Sequence, residues 1–296
     1  MGGARARTVA GLRGRRDGDP GKFDARVSGS RSFSDKRRPR GDRRGLGGEQ
    51  VEGRRAVREL LAIGRRPVKE VWVAEGMDRS PQLDEIERLA ARKRVKLVHP
   101  GRRRLEAMAR TDSAQGVLAL AAPLEETPLE EMCNAGRETT PFLLVLDGVS
   151  DPQNLGALLR SAECSGVTGV VVSRHRAAHV TPAVTKVAAG AIEHVAMAVV
   201  PGVPGALRRI SEHGLVCVGL DANADASLFE LGAELEGPVA LVLGAEGKGL
   251  GSLSRRRCTI VVSIPQYGAL DSLNVAAAGT VACFELARRR ASSRPT

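Results

Sequence analysis

Six short apolar runs dominate the second half of the chain: Phe142–Leu146, Gly169–Val172, Val195–Val200, Leu215–Leu220, Val239–Leu243 and Thr259–Ile264. Helical stretches or glycine-rich loops separate them. Strands this continuously apolar are buried on both faces, and their alternation with helices predicts a mostly parallel α/β sheet covered by helices. Ligands of such sheets bind beyond the C-terminal ends of the strands. The loops after Leu146, Leu243 and Ile264 are therefore where chemistry is expected.

Upstream, the pattern predicts a helix over Arg54–Ile63, a strand over Glu70–Ala74 and a helix after Pro81. A strand over Val95–Val98, a helix over Arg102–Arg110 and a strand over Gly116–Ala121 follow. Together they make a small α/β domain over 49–122. Residues 123–141 are rich in Pro, Glu and Thr and read as an acidic linker, and the second domain spans 142–296. Residues 1–48 hold 14 Lys/Arg against 5 Asp/Glu, with 11 glycines and no periodic apolar positions. They read as a disordered basic tail drawn to nucleic-acid phosphates, or more blandly as a solubilising extension. Most of the chain's formal charge of +11 lies there.

With 42% hydrophobic residues, the chain is not wholly disordered. No uncharged apolar run reaches the roughly 18 residues of a membrane-spanning helix. The Arg/Gly-rich start lacks the apolar core of a secretory signal, so a cytoplasmic location is expected. The five cysteines form no C-x-x-C pair and read as small buried apolar residues. His175 and His179 stand four apart with no carboxylate or thiolate close by in sequence, so no metal site is expected.

The loop after Leu146 opens a helix whose buried stripe is Leu155, Leu158, Leu159 and Ala162. Asn154 stands where an N-cap belongs, and Arg160, off the stripe, can lean back past Gly156 toward the loop. Capping and solvent exposure would account for either residue taken alone. The second loop, Leu241–Gly251, has four glycines in eight residues but neither the Walker A nor the dinucleotide spacing. Its Glu246 disfavours phosphate and suits a cationic ligand or a hydroxyl donor. In the third, a strand ends at Pro265 and a helix starts near Ser272 or Asn274. Small residues follow (Ala276 to Gly279), suiting close packing on another helix or a partner subunit.

In this order, N-L-G-x-x-x-R, L-G-A-E-G-x-G and S-I-P…S-L-N-V-A resemble the three motifs of the SPOUT-class TrmH/SpoU methyltransferases, most of all the RlmB-type 23S rRNA guanosine 2'-O-ribose methyltransferases. V-E-G-R-R-A-V-R-E-L-L and Q-G-V-L-A-L resemble the edges of that family's small, L30e-like RNA-binding domain. The resemblance spans residues 49–290 and leaves out the tail. It implies a C-terminal domain threaded into a deep trefoil knot, a homodimer, and S-adenosylmethionine (AdoMet) as methyl donor to an RNA ribose 2'-hydroxyl. By position it implies that Gly244, Ile264 and Leu273 line the donor pocket. Asn154, Arg160, Glu246, Ser272 and Asn274 fall at the family's catalytic polar positions, and Gln266, Tyr267 and Asp271 at positions that tune substrate choice. The motifs alone leave open a tRNA or antibiotic-resistance rRNA methyltransferase. A non-catalytic RNA-binding protein is the alternative of another class.

Overall fold

Gly53, at φ 97°, turns the chain from a three-residue strand, β1 (Gln50–Glu52), into α1 (Arg54–Ile63). Such a backbone suits glycine because a Cβ would clash there. α1 buries Ala56, Val57, Leu60 and Leu61 and stops at the left-handed Gly64, whose N–H donates to the Leu60 carbonyl. β2 (Val68–Val73), α2 (Pro81–Arg92), β3 (Lys96–Val98), α3 (Arg102–Met108) and β4 (Val117–Ala121) complete a four-stranded sheet in the order β1-β4-β2-β3. β4 runs antiparallel to β1 and β2, which pack under the apolar faces of α1 and α2. β1 is too short for a periodicity to reveal.

The computed structural model describes residues 45–134, 139–175, 179–232 and 235–292. The expectation for the basic tail lies outside these residues, except at 45–48. There Leu46 is buried, the Gly48 N–H donates to the Val180 carbonyl at 2.8 Å, and the Val180 N–H donates to the Leu46 carbonyl at 3.0 Å. This stretch therefore belongs to the fold rather than to a tail. Within 123–141, α4 (Leu129–Cys133) packs Leu129, Met132 and Cys133 against the large sheet.

All six apolar runs are strands of that sheet: β5 (Phe142–Asp147), β6 (Gly169–Ser173), β7 (Ala196–Val200), β8 (Val216–Leu220), β10 (Val239–Gly244) and β11 (Ile260–Ser263), with a two-residue β9 (Ala226–Ser227) beside β11. The order is β7-β6-β5-β10-β8-β11-β9 and every pairing is parallel. Alternate side chains divide between two cores. Leu144, Leu146, Leu241 and Leu243 pack beneath α5 (Pro152–Cys164), α6 (Pro182–Val187) and α9 (Val275–Ser292). Leu143, Val145, Ala240 and Val242 pack beneath α4 and α7 (Val203–Glu212). α8 (Ser252–Arg257) links β10 to β11.

The small residues of the two motif helices are explained by contact between helices. A Cβ on Gly279 would lie 2.4 Å from Leu158 Cδ2, and one on Gly156 would lie 2.6 Å from Val187 Cβ. Gly156 thus admits α6 rather than a ligand. Ser161 and Thr280 hydroxyls hydrogen-bond across α5 and α9 at 2.7 Å. The small domain is fastened by a buried pair, Arg66 to Glu193 at 2.7 Å, with Arg66 also donating to the Gly48 carbonyl at 2.8 Å.

Cys133, Cys217 and Cys283 are buried as expected, but Cys164 is exposed and Cys258 half-buried. Among the described residues no helix is long and apolar enough to cross a membrane.

Candidate active site

The loop after β5 delivers α5 through Asp151, whose carboxylate accepts from the N–H groups of Gln153 at 2.7 Å and Asn154 at 2.9 Å. Asp151, not Asn154, is therefore the N-cap, followed by Pro152 in the first turn. The displacement matters chemically: Asn154 lies inside the first turn with its amide free to work elsewhere. Asp151→Ala should cost about 1 kcal/mol of stability, the usual worth of such a cap, in urea unfolding.

After β10 the chain doubles back on itself. Ala245 and Gly249 exchange hydrogen bonds (Ala245 N–H to Gly249 O at 3.1 Å, Gly249 N–H to Ala245 O at 2.9 Å), with Gly247 at φ 73° and Gly249 at φ 62°. The turn holds Glu246 out beyond the sheet. The loop after β11 ends at Asn274, whose Oδ1 caps α9 by accepting from Ala276 N–H at 2.9 Å and Ala277 N–H at 3.3 Å.

These three segments meet. Asn154 Nδ2 donates to Glu246 Oε2 at 3.0 Å, and Asn274 Nδ2 donates to Asn154 Oδ1 at 3.0 Å and to Glu246 Oε1 at 3.4 Å. Residues 92 and 28 positions apart thus form one closed polar cluster. Both carboxylate oxygens of Glu246 are held by amide donors, which fixes the charge in place.

A cavity lies on each side of the cluster. One, of about 640 Å³, is lined by Leu220, Gly244, Glu246, Ile264, Ser272 and Leu273. A Cβ on Gly244 would fall 2.1 Å from the Gly249 carbonyl carbon, so only glycine lets the strand end lie against the returning loop. The other, of about 840 Å³, is lined by Asp147, Ser150, Asn154, His175, Glu246 and Lys248. Glu246 faces both, Asn274 the first and Asn154 the second.

Seven of the eight sequence-predicted residues are thereby gathered around these cavities. Ser272 is exposed on the rim and its Oγ donates to Asp271 Oδ1 at 3.3 Å. Arg160 is the exception: it is exposed and lines neither cavity. Six residues beyond Asn154 on a helix, it points roughly 120° away round the axis. Sequence reasoning missed Asp147 and Lys248. Asp147 had a signal, being the polar residue that closes an otherwise apolar run at a C-terminal strand end. Burial pushes the Cys133 thiol up to about 11 and that of Cys258 up to about 12, so neither offers a thiolate nucleophile. Among the described residues no group of His, Cys, Asp and Glu could hold a metal ion.

Residues 141–284 match the SpoU rRNA Methylase family, and residues 50–127 match the RNA 2'-O ribose methyltransferase substrate binding family. The 23S rRNA (guanosine-2'-O-)-methyltransferase RlmB of Pseudomonas putida is 38% identical over 249 residues, covering 83% of this chain and 98% of that protein. The chain belongs to the SpoU rRNA methylase family. The RlmB of Pseudomonas aeruginosa is 39% identical to this SpoU methylase over 245 residues, covering 82% of this chain and 97% of the relative. In three dimensions, the SpoU methyltransferase AviRb from Streptomyces viridochromogenes, solved in complex with AdoMet, matches this SpoU methylase with a TM-score of 0.68 at 26% identity, over 83% of this chain and 91% of that one.

Proposed function

We propose that this SpoU methylase transfers a methyl group from AdoMet to the 2'-hydroxyl of a guanosine ribose in 23S rRNA, working as a homodimer in the cytoplasm. The observation that carries the reading is the Asn154–Glu246–Asn274 cluster standing as a shared wall between two cavities. A two-substrate transfer needs donor and acceptor to abut, with reacting atoms about 3 Å apart.

The residues of the smaller cavity suit AdoMet. Its size is in the range of small-molecule sites, its walls are strand ends and apolar side chains, and Glu246 and Asp271 set two negative charges against the one positive charge of Lys248 in its lining. That charge matches a sulfonium cation and repels a phosphate. When bound, AdoMet supplies a methyl group already activated for attack by an oxygen nucleophile.

In this mechanism Gly244, Ile264 and Leu273 hold the donor. Asn154 and Asn274 keep Glu246 fixed beside it, and Ser272 and Asn274 orient the ribose, so positioning supplies much of the rate. Arg160 holds the target phosphate and steadies the negative charge that grows on the 2'-oxygen. A guanidinium does not give up its proton, so the hydroxyl proton leaves through phosphate, water or Glu246.

Arg160 faces solvent, and a second copy of the chain is what brings such a residue to an active site. Dimerisation is supported by α9, which exposes Ala277, Val281 and Phe284 at i, i+4 and i+7. The knotted threading belongs to the same reading: after β11 the chain passes back to set Asn274 against Asn154 and Glu246.

Mapping 2'-O-methylation across rRNA and tRNA in a strain lacking the protein tests the assignment. The expected result is loss of the mark at a 23S rRNA guanosine, restored by the wild-type gene. Loss confined to tRNA, or no loss at all, would refute it.

A further inference from the structure

The larger cavity has features that the methyl-transfer mechanism leaves unused, and they concern the base rather than the sugar of the acceptor. Its floor is the end of β5, where Asp147 sits in register with Gly244 of the neighbouring β10. Adjacent strands lie about 4.8 Å apart, so the donor cavity above Gly244 and the acceptor cavity above Asp147 abut at a single strand spacing. The two other carboxylates of this cavity are committed. Asp151 caps α5, and Glu246 is bound by Asn154 and Asn274. Asp147 is half-buried, and its side chain takes part in no hydrogen bond or ion pair among the described residues. Gly251 leaves space beside it, since a Cβ there would come within 3.2 Å of Asp147 Oδ2.

A partly desolvated, ionised carboxylate with no hydrogen-bond partner is an acceptor pair and nothing else. Guanine is the RNA base that offers two adjacent donors, N1–H and the 2-amino group, on one edge. Adenine presents a bare N1 there and would leave the carboxylate facing a lone pair. RNA bases are read one at a time where they are splayed out of their stack, which exposes the Watson–Crick edge to a cavity of this kind. We propose that the larger cavity takes the extruded target base and that Asp147 selects guanine by accepting from N1–H and the 2-amino group. This assignment rests on the methyl-transfer function proposed above and adds the basis of its choice of nucleoside.

The test exchanges one atom group on each side. A 23S rRNA fragment carries at the mapped target position either guanosine or inosine, which keeps N1–H and lacks the 2-amino group. Wild-type protein is expected to lose about 10- to 100-fold in kcat/KM, and to bind the RNA more weakly, on going to inosine, the usual worth of one hydrogen bond to a charged group. Asp147→Ala, which removes both acceptor oxygens, is expected to lose a similar factor on guanosine RNA and to treat the two RNAs within about threefold of each other. AdoMet affinity by calorimetry stays at the wild-type value in this variant, which also reports that it is folded.

Equal methylation of both RNAs by the wild-type protein overturns the assignment without needing the variant. A variant that keeps the full preference for guanosine overturns it too. If the wild-type protein binds AdoMet yet methylates neither RNA, the methyl-transfer function itself falls, and this assignment with it.

Discussion

Arg160→Ala is expected to lower methyl transfer at least about 100-fold, in line with loss of a charge-stabilising donor, while AdoMet affinity stays within about threefold. Arg160 lines neither cavity, so its removal leaves the donor site untouched. It is exposed and makes no packing contribution of consequence, so the fold should survive. The same geometry gives a sharper test. Asn154→Ala is expected to be inactive for a different reason, because it breaks the cluster with Glu246 and Asn274. If Arg160 acts on the other copy's cavity, mixed dimers of the two inactive variants contain one intact site. Activity is then regained on mixing. Mixing that restores nothing would place Arg160 on the cavity of its own chain.

Gly244→Ala should weaken AdoMet binding by about 100-fold or more, because overpacking against backbone cannot be relieved by a rotamer change. The added methyl would lie 2.1 Å from the Gly249 carbonyl carbon and 2.3 Å from the Leu250 nitrogen. The returning loop must shift, and Glu246 shifts with it, which takes down one wall of both cavities. Gly237→Ala is the control: nothing lies within 4 Å of a Cβ there, and affinity should be unchanged. Calorimetric titration with AdoMet reads both. Near-normal affinity in Gly244→Ala would mean that the donor does not sit against the end of β10.

The large sheet was legible because strands buried on both faces write themselves as unbroken apolar runs, from Phe142–Leu146 to Thr259–Ile264. β1 and β9, of three and two residues, carry too few positions for any period to show. Residues 45–48 look like tail by composition, yet backbone hydrogen bonds to Val180, which composition does not encode, bring them into the fold. The sequence pattern puts the cap of α5 three positions late because Asp151, Pro152 and Asn154 all favour a helix start, and only geometry separates the residue that caps from the one left free.

Gly156 shows the same limit from another direction. A glycine in a helix signals that something comes close, but its own sequence cannot distinguish Val187 of α6 from a ligand. Glu246 stands out in sequence by its charge in a glycine-rich loop, and Asn274 by its suitability for a helix start. That the two share a carboxylate–amide network with Asn154 depends on where β10, α5 and α9 lie in space. Asp147 carries a signal in sequence, a polar residue closing an apolar run, but only the structure shows that its carboxylate has no partner among the described residues.

The most direct measurement supplies purified protein with AdoMet radiolabelled in its methyl group and 23S rRNA from a strain lacking the protein, then digests the RNA to nucleosides. Methyl transfer between the two cavities predicts label in 2'-O-methylguanosine, approaching one methyl per RNA molecule. Label on a base instead of a ribose, or no incorporation by a protein that binds both AdoMet and the RNA, would contradict it.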